Sequence, residues 1–504
     1  MPQKLKLLAR TIRNQFQNLP RRVVIMIVFA VIGLATVFVS RAATSSVSIQ
    51  AEGGTRTPSV GLVSDASASG GSAIRFSNAA SVCGKRVQNY TYQVPYGNAV
   101  WNQPVCGLAT YAKSADYANR LYSWGYVNDG SVPAPNTRIY GFVASSIGLP
   151  KPTLFDPEGL STLFSRNVYY ASTANTTTLV QTSVTASNLD GIKSDDGQTP
   201  DVFRFLPNTP IPWNTSWRTG EGGDNEIVLL DDRPGPTYGR IYEIAGYKRD
   251  LAAVTQCGPF FRDRICTYNV KVGRDMDGNI IDYRSFEGFI DGRGVGLSMF
   301  ATLTTPEEVV AGEIRHALGM GIPNTATGPI CTSAQLGTAA EGSTCGTAVA
   351  PASKFEWGGV NSSAERNNID PAFNSIYTQD KMIPEGMRFA LNITDAQIES
   401  WITSRGYTGA KAKTARIFAV AFRDYGAMIV DTNGERAGLQ LAGAANPTAR
   451  AQWASVGMDS EEDTQLLQGL VTKTNLYVVA PPTVTCKDGS LSKYFCKWTS
   501  ARYP

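Results

Sequence analysis

Short apolar segments alternate with turn residues through most of the chain after residue 83. The segments are rich in β-branched and aromatic side chains, and Gly, Pro, Asn or Asp separate them. This spacing is typical of β-strands. It predicts strands at residues 168–170, 179–184, 226–230, 240–245, 387–391, 428–431 and 476–479. We therefore expect a mainly β body with a few helices, arranged as a β-sandwich or in a jelly-roll-like way.

Helical patterns are fewer, and capping residues mark where they begin. Thr305-Pro306-Glu307-Glu308 is a capping box with Pro at the first helical position. It predicts a helix that begins there and ends before Gly321. The same device at residues 394–397 predicts a second helix to about residue 404, and a third is expected from about 411 to 426.

A hydrophobic segment near the N-terminus has the length of a membrane span. Residues 23–39 are all apolar or Gly and Thr, and at about 1.5 Å per residue they nearly cross a hydrocarbon layer about 30 Å thick. Two arginines precede them, which indicates a cytoplasmic N-terminus. We predict a cytoplasmic segment at 1–22, a single signal anchor at 23–40 and an extracytoplasmic remainder. A cleaved signal peptide ending near Ala42 is the alternative, which the long basic region disfavours.

The charge distribution supports the same topology. The chain carries a formal net charge of +4, but seven of its basic residues and none of its acidic residues precede Ala42. The remainder has 39 basic and 42 acidic residues, a net charge of −3. This balance excludes a nucleic-acid-binding surface based on overall charge. The membrane, contacted through residues 23–40, is therefore the partner that the basic residues indicate.

The eight cysteines all follow the hydrophobic segment and fall into four couples that are close in sequence. Closing a short loop costs little entropy, and an oxidising compartment allows such bonds to persist. We predict the disulfides Cys83–Cys106, Cys257–Cys266, Cys331–Cys345 and Cys486–Cys496. A zinc site is the alternative, but the chain has no C-x-x-C motif and a single histidine. We expect no metal and no cofactor.

Residues 41–82 separate the predicted anchor from the body. They are rich in Ala, Ser, Thr and Gly and nearly free of large side chains, which is typical of a stalk. Ala51-Glu52 and the run from 64 to 76 resemble the start of carbohydrate-binding β-sandwich modules, which begin "AE" and continue "D-x-A-S-G-G". We interpret this segment as a truncated remnant used as a spacer, followed by one extracytoplasmic β-rich domain at 83–504.

A second resemblance covers about 250 residues of the body. Residues 292–318, GRGVGLSMFATLTTPEEVVAGEIRHAL, resemble a signature of uncharacterised exported bacterial proteins, with an "E-x-x-x-G-x-I-x-HAL" helix. Residues 384–389 are similar to that family's "P-x-G-x-R" strand, and residues 425–431 to its "YG-x-x-x-x-D" segment. Upstream, residues 212–214, 226–231 and 240–243 fit the family's pattern as well. The resemblance implies an exported protein, often found beside carbohydrate-binding modules, and implies no catalytic residue. Gly319 stands where that family usually has Arg.

The single histidine, His316, is the centre of the candidate site. Glu308, Gly312 and His316 are spaced four apart, so a continuous helix would place them on one face, with Glu313 nearby. A histidine and carboxylates beside a small residue could perform general acid–base catalysis. The alternative is a hydrogen-bonded core histidine. Asp431, at the end of a predicted strand, is a further candidate acid, or else a turn-capping residue.

Two classes of function fit these features. The first is a surface protein that binds or cleaves polysaccharide. Several tryptophans could stack on sugar rings, namely Trp101, Trp124, Trp213, Trp217, Trp357 and Trp401. The second is a non-catalytic adhesin or envelope scaffold, because no complete catalytic motif is present. The G-x-S-x-G elbow, the Walker loop and HExxH are all missing from the sequence.

Overall fold

A computed structural model describes most of the chain beyond residue 82. It covers residues 83–124, 166–182, 210–217, 226–245, 264–272, 282–284, 295–325, 331–353, 383–432, 438–458 and 466–503, apart from short gaps within several of these ranges, and the backbone of 60–64 and 72–76. Contacts divide the chain into two units, Met1–Ala80 and Ser81–Pro504. In the first unit, β1 and β2 form an antiparallel hairpin within the predicted stalk.

The described elements follow one another in chain order. The strands are β1 (Val60–Ser64), β2 (Ser72–Phe76), β3 (Arg166–Tyr170), β4 (Thr176–Thr182), β5 (Pro210–Trp213), β6 (Glu226–Leu230), β7 (Ile241–Ala245), β8 (Arg264–Thr267), β9 (Asn269–Val272), β10 (Leu318–Ile322), β11 (Arg388–Leu391), β12 (Ala427–Thr432), β13 (Gly438–Leu439), β14 (Leu476–Val479), β15 (Thr483–Cys486), β16 (Leu491–Ser492) and β17 (Trp498–Arg502). The helices are α1 (Ser114–Trp124), α2 (Pro306–Ala311), α3 (Asp395–Ser404), α4 (Gly409–Asp424) and α5 (Pro447–Ser455).

A five-stranded sheet with the order β13-β10-β12-β11-β14 lies at the centre of the second unit. β10 pairs in parallel with β12, and the other neighbours are antiparallel. Side chains of β12 alternate between two cores: Ala427 and Ile429 face one, and Met428 and Val430 face the other. Because both faces of this sheet are buried, its strands are apolar at nearly every position.

One face of the central sheet is covered by helices. Phe418 and Phe422 of α4, Trp453 of α5 and Ile398 of α3 pack against β10, β11 and β12, together with Leu121 of α1. The helices therefore supply one apolar layer, which we name the helix-side core.

The opposite face packs against other sheets. Val228 and Leu230 of the four-stranded sheet β3-β6-β7-β9 join Val430, and Val484 and Trp498 of the sheet β16-β15-β17 complete this inter-sheet core. The intervening residues of β6 point the other way. They form an outer core with the sheet β5-β4-β8, made of Tyr169, Ile211, Trp213, Trp217, Ile227, Leu229 and Tyr242. The central sheet thus has helices packed on one face and further sheets packed on the other.

The prediction of a mainly β body with a few helices is confirmed, and strands lie at each of the predicted positions. The predicted second and third helices are α3 and α4, and α3 begins with the expected capping box. Among the described strands, three pairs are parallel: β3–β6, β4–β8 and β10–β12. At these pairs the sheets differ from a jelly roll, whose strands are antiparallel.

The predicted helix from Thr305 to Met320 is wrong beyond its second turn. The capping box of Thr305 and Glu308 is present, but α2 ends at Ala311, where Gly312 adopts a left-handed φ of 99°. Gly312 is a helix C-cap, the position at which glycine is most favoured. The last predicted turn is instead strand β10, because Leu318, Met320 and Ile322 all pack in the helix-side core.

Three of the four predicted disulfides are confirmed: Cys83–Cys106, Cys331–Cys345 and Cys486–Cys496. Cys257 lies outside the described residues, so its pairing with Cys266 stays a prediction. The predicted anchor at 23–40 and the cytoplasmic segment at 1–22 also lie outside them. No helix within the described part of the chain is both long and apolar enough to cross a membrane.

Candidate functional site

His316 and Glu308 form a buried pair. The chain reverses direction after α2 at Gly312, and this brings the His316 ring back onto the first turn of the helix. Nε2 of His316 lies 3.0 Å from Oε2 and 3.1 Å from Oε1 of Glu308. His316 is 2% exposed and Glu308 is fully buried. The two residues meet as the sequence spacing suggested, but through a turn and not along one helix face.

The hydrogen bonds of His316 favour its charged form. Nδ1 lies 2.8 Å from the carbonyl oxygen of Ala317, so both ring nitrogens face acceptors. Burial on its own lowers the pKa of His316, but the Glu308 carboxylate and the Ala317 carbonyl outweigh it and raise the pKa above its usual value. A ring that donates from both nitrogens is an imidazolium. Below the folded pKa of His316, the pair is therefore a buried ion pair.

Glu308 also holds the start of α2. Its Oε1 accepts a hydrogen bond from the backbone nitrogen of Thr305 at 2.6 Å, the reciprocal half of the capping box. One carboxylate thus binds the imidazolium and a helix N-terminus. Replacing Glu308 would disturb both of these contacts.

The motifs of the family resemblance meet beside this pair. Arg388 donates to the carbonyl oxygens of Val100 and Gln103, at 2.9 and 2.7 Å, and to that of Tyr425. Ala317, next to His316, donates from its backbone nitrogen to the neighbouring Trp101 carbonyl at 2.6 Å. The "HAL", "P-x-G-x-R" and "YG" segments therefore converge on residues 100–103. Arg388 also donates to the hydroxyl of Tyr503 at 3.1 Å. Sequence reasoning missed this role, because a buried arginine that binds carbonyl and hydroxyl oxygens leaves no charge pattern.

Glu313 has a different task from the expected one. Its carboxylate accepts hydrogen bonds from the backbone nitrogens of Arg86 and Val87, at 2.7 and 3.0 Å, and from Nε of Arg315 at 3.0 Å. These bonds hold the segment that follows Cys83 against the body. The expectation that Glu313 lies on one continuous helix with His316 is wrong, because the chain is not helical after Ala311.

Asp431 lies far from the pair. Ala427 pairs with Leu318, and Asp431 follows four residues later on β12, about 13 Å along the strand. Its Oδ2 accepts hydrogen bonds from Nη2 of Arg166 at 2.7 Å and from Nε2 of Gln440 at 2.6 Å. The four candidate residues therefore separate into one pair and two independent carboxylates.

Gly319 stands in β10 at a place without room for a side chain. A Cβ built on Gly319 would lie 2.6 Å from Oγ1 and 3.0 Å from the carbonyl oxygen of Thr302. An arginine at this position would require the strand or its neighbour to shift. Glycine in place of the arginine of the resembled family therefore agrees with the tight packing at this position.

Four of the six tryptophans expected to stack on sugars are not available at the surface. Trp101, Trp213, Trp217 and Trp401 are all buried in the described structure. The side chain of Trp124 and the whole of Trp357 lie outside the described residues. The interpretation of these four tryptophans as stacking platforms is wrong, because their large apolar area is used to build the cores.

One group of potential metal ligands occurs among the described residues, namely Cys83, Cys106 and Asp424. The two sulfurs are bonded to each other, so neither is the thiolate that a metal requires. Comparison of the chain with family models, with curated proteins and with solved structures gives no match.

Proposed function

We propose that this chain is a membrane-anchored extracytoplasmic protein whose body, residues 83–504, binds polysaccharide without cleaving it. The observation that carries the proposal is the set of three local disulfides in the body, closing loops with sequence separations of 23, 14 and 10 residues. Such bonds persist in an oxidising compartment. The choice of polysaccharide as the ligand rests on the resemblance of the stalk to a carbohydrate-binding module.

Binding is favoured over cleavage by the burial of the acid–base candidates. His316 and Glu308 are enclosed and bonded to each other. The carboxylates of Glu313 and Asp431 each accept hydrogen bonds from protein donors. A general acid must reach the atom that it protonates, within hydrogen-bond distance or through one water. His316, Glu308 and Glu313 are buried and offer no such access, and the Asp431 side chain, 18% exposed, lies apart from the other three.

We also propose that the sheets of the body pack in a sandwich-like arrangement. Its support is the inter-sheet core, where Val228 and Leu230 of one sheet face Met428 and Val430 of another. Two sheets that share a core present their edges and connecting turns to solvent. Turns of this kind are where sheet proteins most often carry their binding residues.

A non-catalytic adhesin or envelope scaffold remains the second candidate. The observation that favours it is the burial of Trp101, Trp213, Trp217 and Trp401. A protein that binds through a protein partner needs no aromatic sugar platform. The two candidates differ in whether purified protein binds glycans.

The membrane topology has a direct test. Protease added to intact cells or spheroplasts is expected to digest residues 83–504 and to leave the N-terminal segment protected. The reason is that the predicted anchor at 23–40 leaves only residues 1–22 inside. Immunoblotting against tags at the two ends measures the outcome, and protection of the body would refute the topology.

Polysaccharide binding is tested by applying the full-length protein in detergent to a glycan array, followed by product analysis of every glycan bound. We expect retention on one class of polysaccharide and no new reducing or unsaturated ends. New ends would establish cleavage and refute the non-catalytic part of the proposal. Absence of any retained glycan would favour the scaffold.

A further inference from the structure

We propose that Tyr238 and two Asp-x-Arg turns beside it form a subsite for a neutral pyranose unit, an inference that rests on the proposed polysaccharide binding and locates it. Tyr238 lies in the connection between β6 and β7 and is 48% exposed. Of the aromatic side chains in the described part of the chain, that of Tyr238 is the one classed as exposed. An exposed aromatic ring in a fixed turn is the kind of surface on which a sugar can stack.

The guanidinium group of Arg284 covers one face of the Tyr238 ring. The guanidinium carbon of Arg284 lies 3.3 Å from the ring centroid, a stacked cation–π contact. Arg284 is itself fixed by Asp282, whose Oδ1 accepts from Nε at 2.7 Å and whose Oδ2 accepts from Nη2 at 2.6 Å. The backbone nitrogen of Arg284 also donates to Asp282 at 3.0 Å. The opposite face of the ring is therefore the one left for a ligand.

The same arrangement occurs a second time in the same turn region. Oδ1 of Asp231 accepts from Nε of Arg233 at 3.0 Å, and Oδ2 accepts from Nη2 at 3.0 Å. The two turns approach each other at Gly239, which has a left-handed φ of 84°. A Cβ there would lie 2.6 Å from Nη2 of Arg284 and from Oδ1 of Asp282. Glycine is thus required for the two turns to meet.

Hydrogen bonds and packing hold this surface in one shape. The backbone nitrogen of Tyr238 donates to Gly235, and that of Gly239 to Asp231, at 3.1 and 2.7 Å. Tyr283 donates from its backbone to Gly239 at 3.1 Å, and its ring meets Phe300 edge to face in the inter-sheet core. A preformed aromatic surface loses little conformational entropy when it binds.

The charges of the surface favour a neutral ligand. Arg233 and Arg284 are each paired with an aspartate, and Asp232 accepts hydrogen bonds from Ser172 at 2.7 and 2.6 Å. Residues 231–240 and 282–284 carry three carboxylates and, with Arg240, three guanidinium groups, so this surface has no net charge. A polyanion is therefore not attracted. A pyranose has an apolar C–H face for the tyrosine ring and hydroxyl groups for the exposed edges of Arg233 and Asp282.

The test is affinity electrophoresis of the full-length protein in detergent, in native gels containing hydroxyethyl cellulose, xylan, glucomannan or alginate. The variants are Tyr238→Ala, Tyr238→Phe and, as a control, Leu491→Ala, which removes another exposed apolar side chain. A neutral polysaccharide is expected to retard the wild type. Tyr238→Ala should raise the dissociation constant about tenfold, the size of a lost aromatic contact. Tyr238→Phe and Leu491→Ala should stay within about twofold.

The possible failures are distinguishable. If Tyr238→Ala binds a neutral polysaccharide as well as the wild type does, the subsite is refuted and polysaccharide binding stands. If no polysaccharide retards the wild type, the proposed function fails and the subsite with it. Retardation by alginate alone, lost at high salt, refutes the neutral ligand. Light scattering tests whether the Tyr238 surface instead binds a second copy of the chain. A wild-type dimer that dissociates in the Tyr238→Ala variant would refute the sugar subsite.

Discussion

Asp424→Asn is expected to lower the free energy of unfolding by about 3 kcal/mol or more. The Asp424 carboxylate is fully buried and accepts hydrogen bonds from Nε of Arg423 at 2.7 Å and Nε of Arg86 at 3.1 Å. It also accepts from the backbone nitrogen of Gly84 at 3.1 Å. The amide keeps the shape but leaves the buried Arg423 guanidinium with only the half-exposed Asp395 carboxylate, 2.8 Å from its Nη1, as a charged partner. Breaking a buried pair from one side costs about 3–5 kcal/mol.

Urea unfolding of the full-length protein in detergent, followed by tryptophan fluorescence, measures this change. Glu399→Gln is the matched control, because Glu399 and Arg416 form an ion pair with both side chains about half exposed. Exposed pairs contribute less than about 1 kcal/mol. Similar urea midpoints for the two variants would show that the buried cluster does not hold residues 84–86 against the C-terminal end of α4.

The strands of the central sheet could be predicted because their sequence signal is redundant. Residues such as Phe389 of β11 and Ile429 of β12 belong to short apolar runs bounded by Gly, Asn or Asp, and burial on both faces leaves few polar interruptions. The capping boxes of α2 and α3 were also readable, since each depends on residues three apart. Local signals of this kind need no knowledge of the tertiary structure.

The end of α2 could not be predicted in the same way. A spacing of four between Glu308, Gly312 and His316 fits a helix face, but a helix that ends at a left-handed glycine gives the same contact. Which of the two forms depends on whether residues 318–322 find partners in β12 and β13, and these partners lie more than 100 residues away. Tertiary pairing overrode the local pattern.

The surface around Tyr238 was missed for a related reason. The signal in the sequence is a repeated Asp-x-Arg, at residues 231–233 and 282–284, with a glycine at 239. The two copies are about 50 residues apart, and nothing local shows that they meet. The buried tryptophans gave the opposite error, a predicted binding surface that is part of the cores. The sequence cannot separate the two roles, because the same residue type builds cores and sugar-binding platforms.

His316→Gln is expected to destabilise the body by about 3 kcal/mol while leaving polysaccharide binding unchanged. The glutamine amide can still donate a hydrogen bond, but the Glu308 carboxylate stays fully buried and loses its cation. An acid–base role predicts the opposite, namely an unchanged melting temperature and a lost activity. Melting curves and affinity electrophoresis on the same preparation separate the two roles.

The dependence on pH gives a second readout of the same pair. The folded pKa of His316 is raised above its usual value of 6.5. The stabilisation by the charged ring is therefore fully present below about pH 6.5 and is lost as the pH rises through the folded pKa. The wild type should exceed His316→Gln in unfolding free energy most at acidic pH. The difference should shrink on the alkaline side.

A double-mutant cycle completes the argument. Glu308→Gln removes the buried carboxylate, so a glutamine at position 316 then leaves no unpaired charge behind. The double variant should be more stable than the sum of the single losses predicts, by about 1 kcal/mol or more. Additive losses, or an unfolding free energy of His316→Gln that tracks the wild type at every pH, would contradict the buried ion pair. A stable variant that has lost only its activity on polysaccharide would restore the catalytic role.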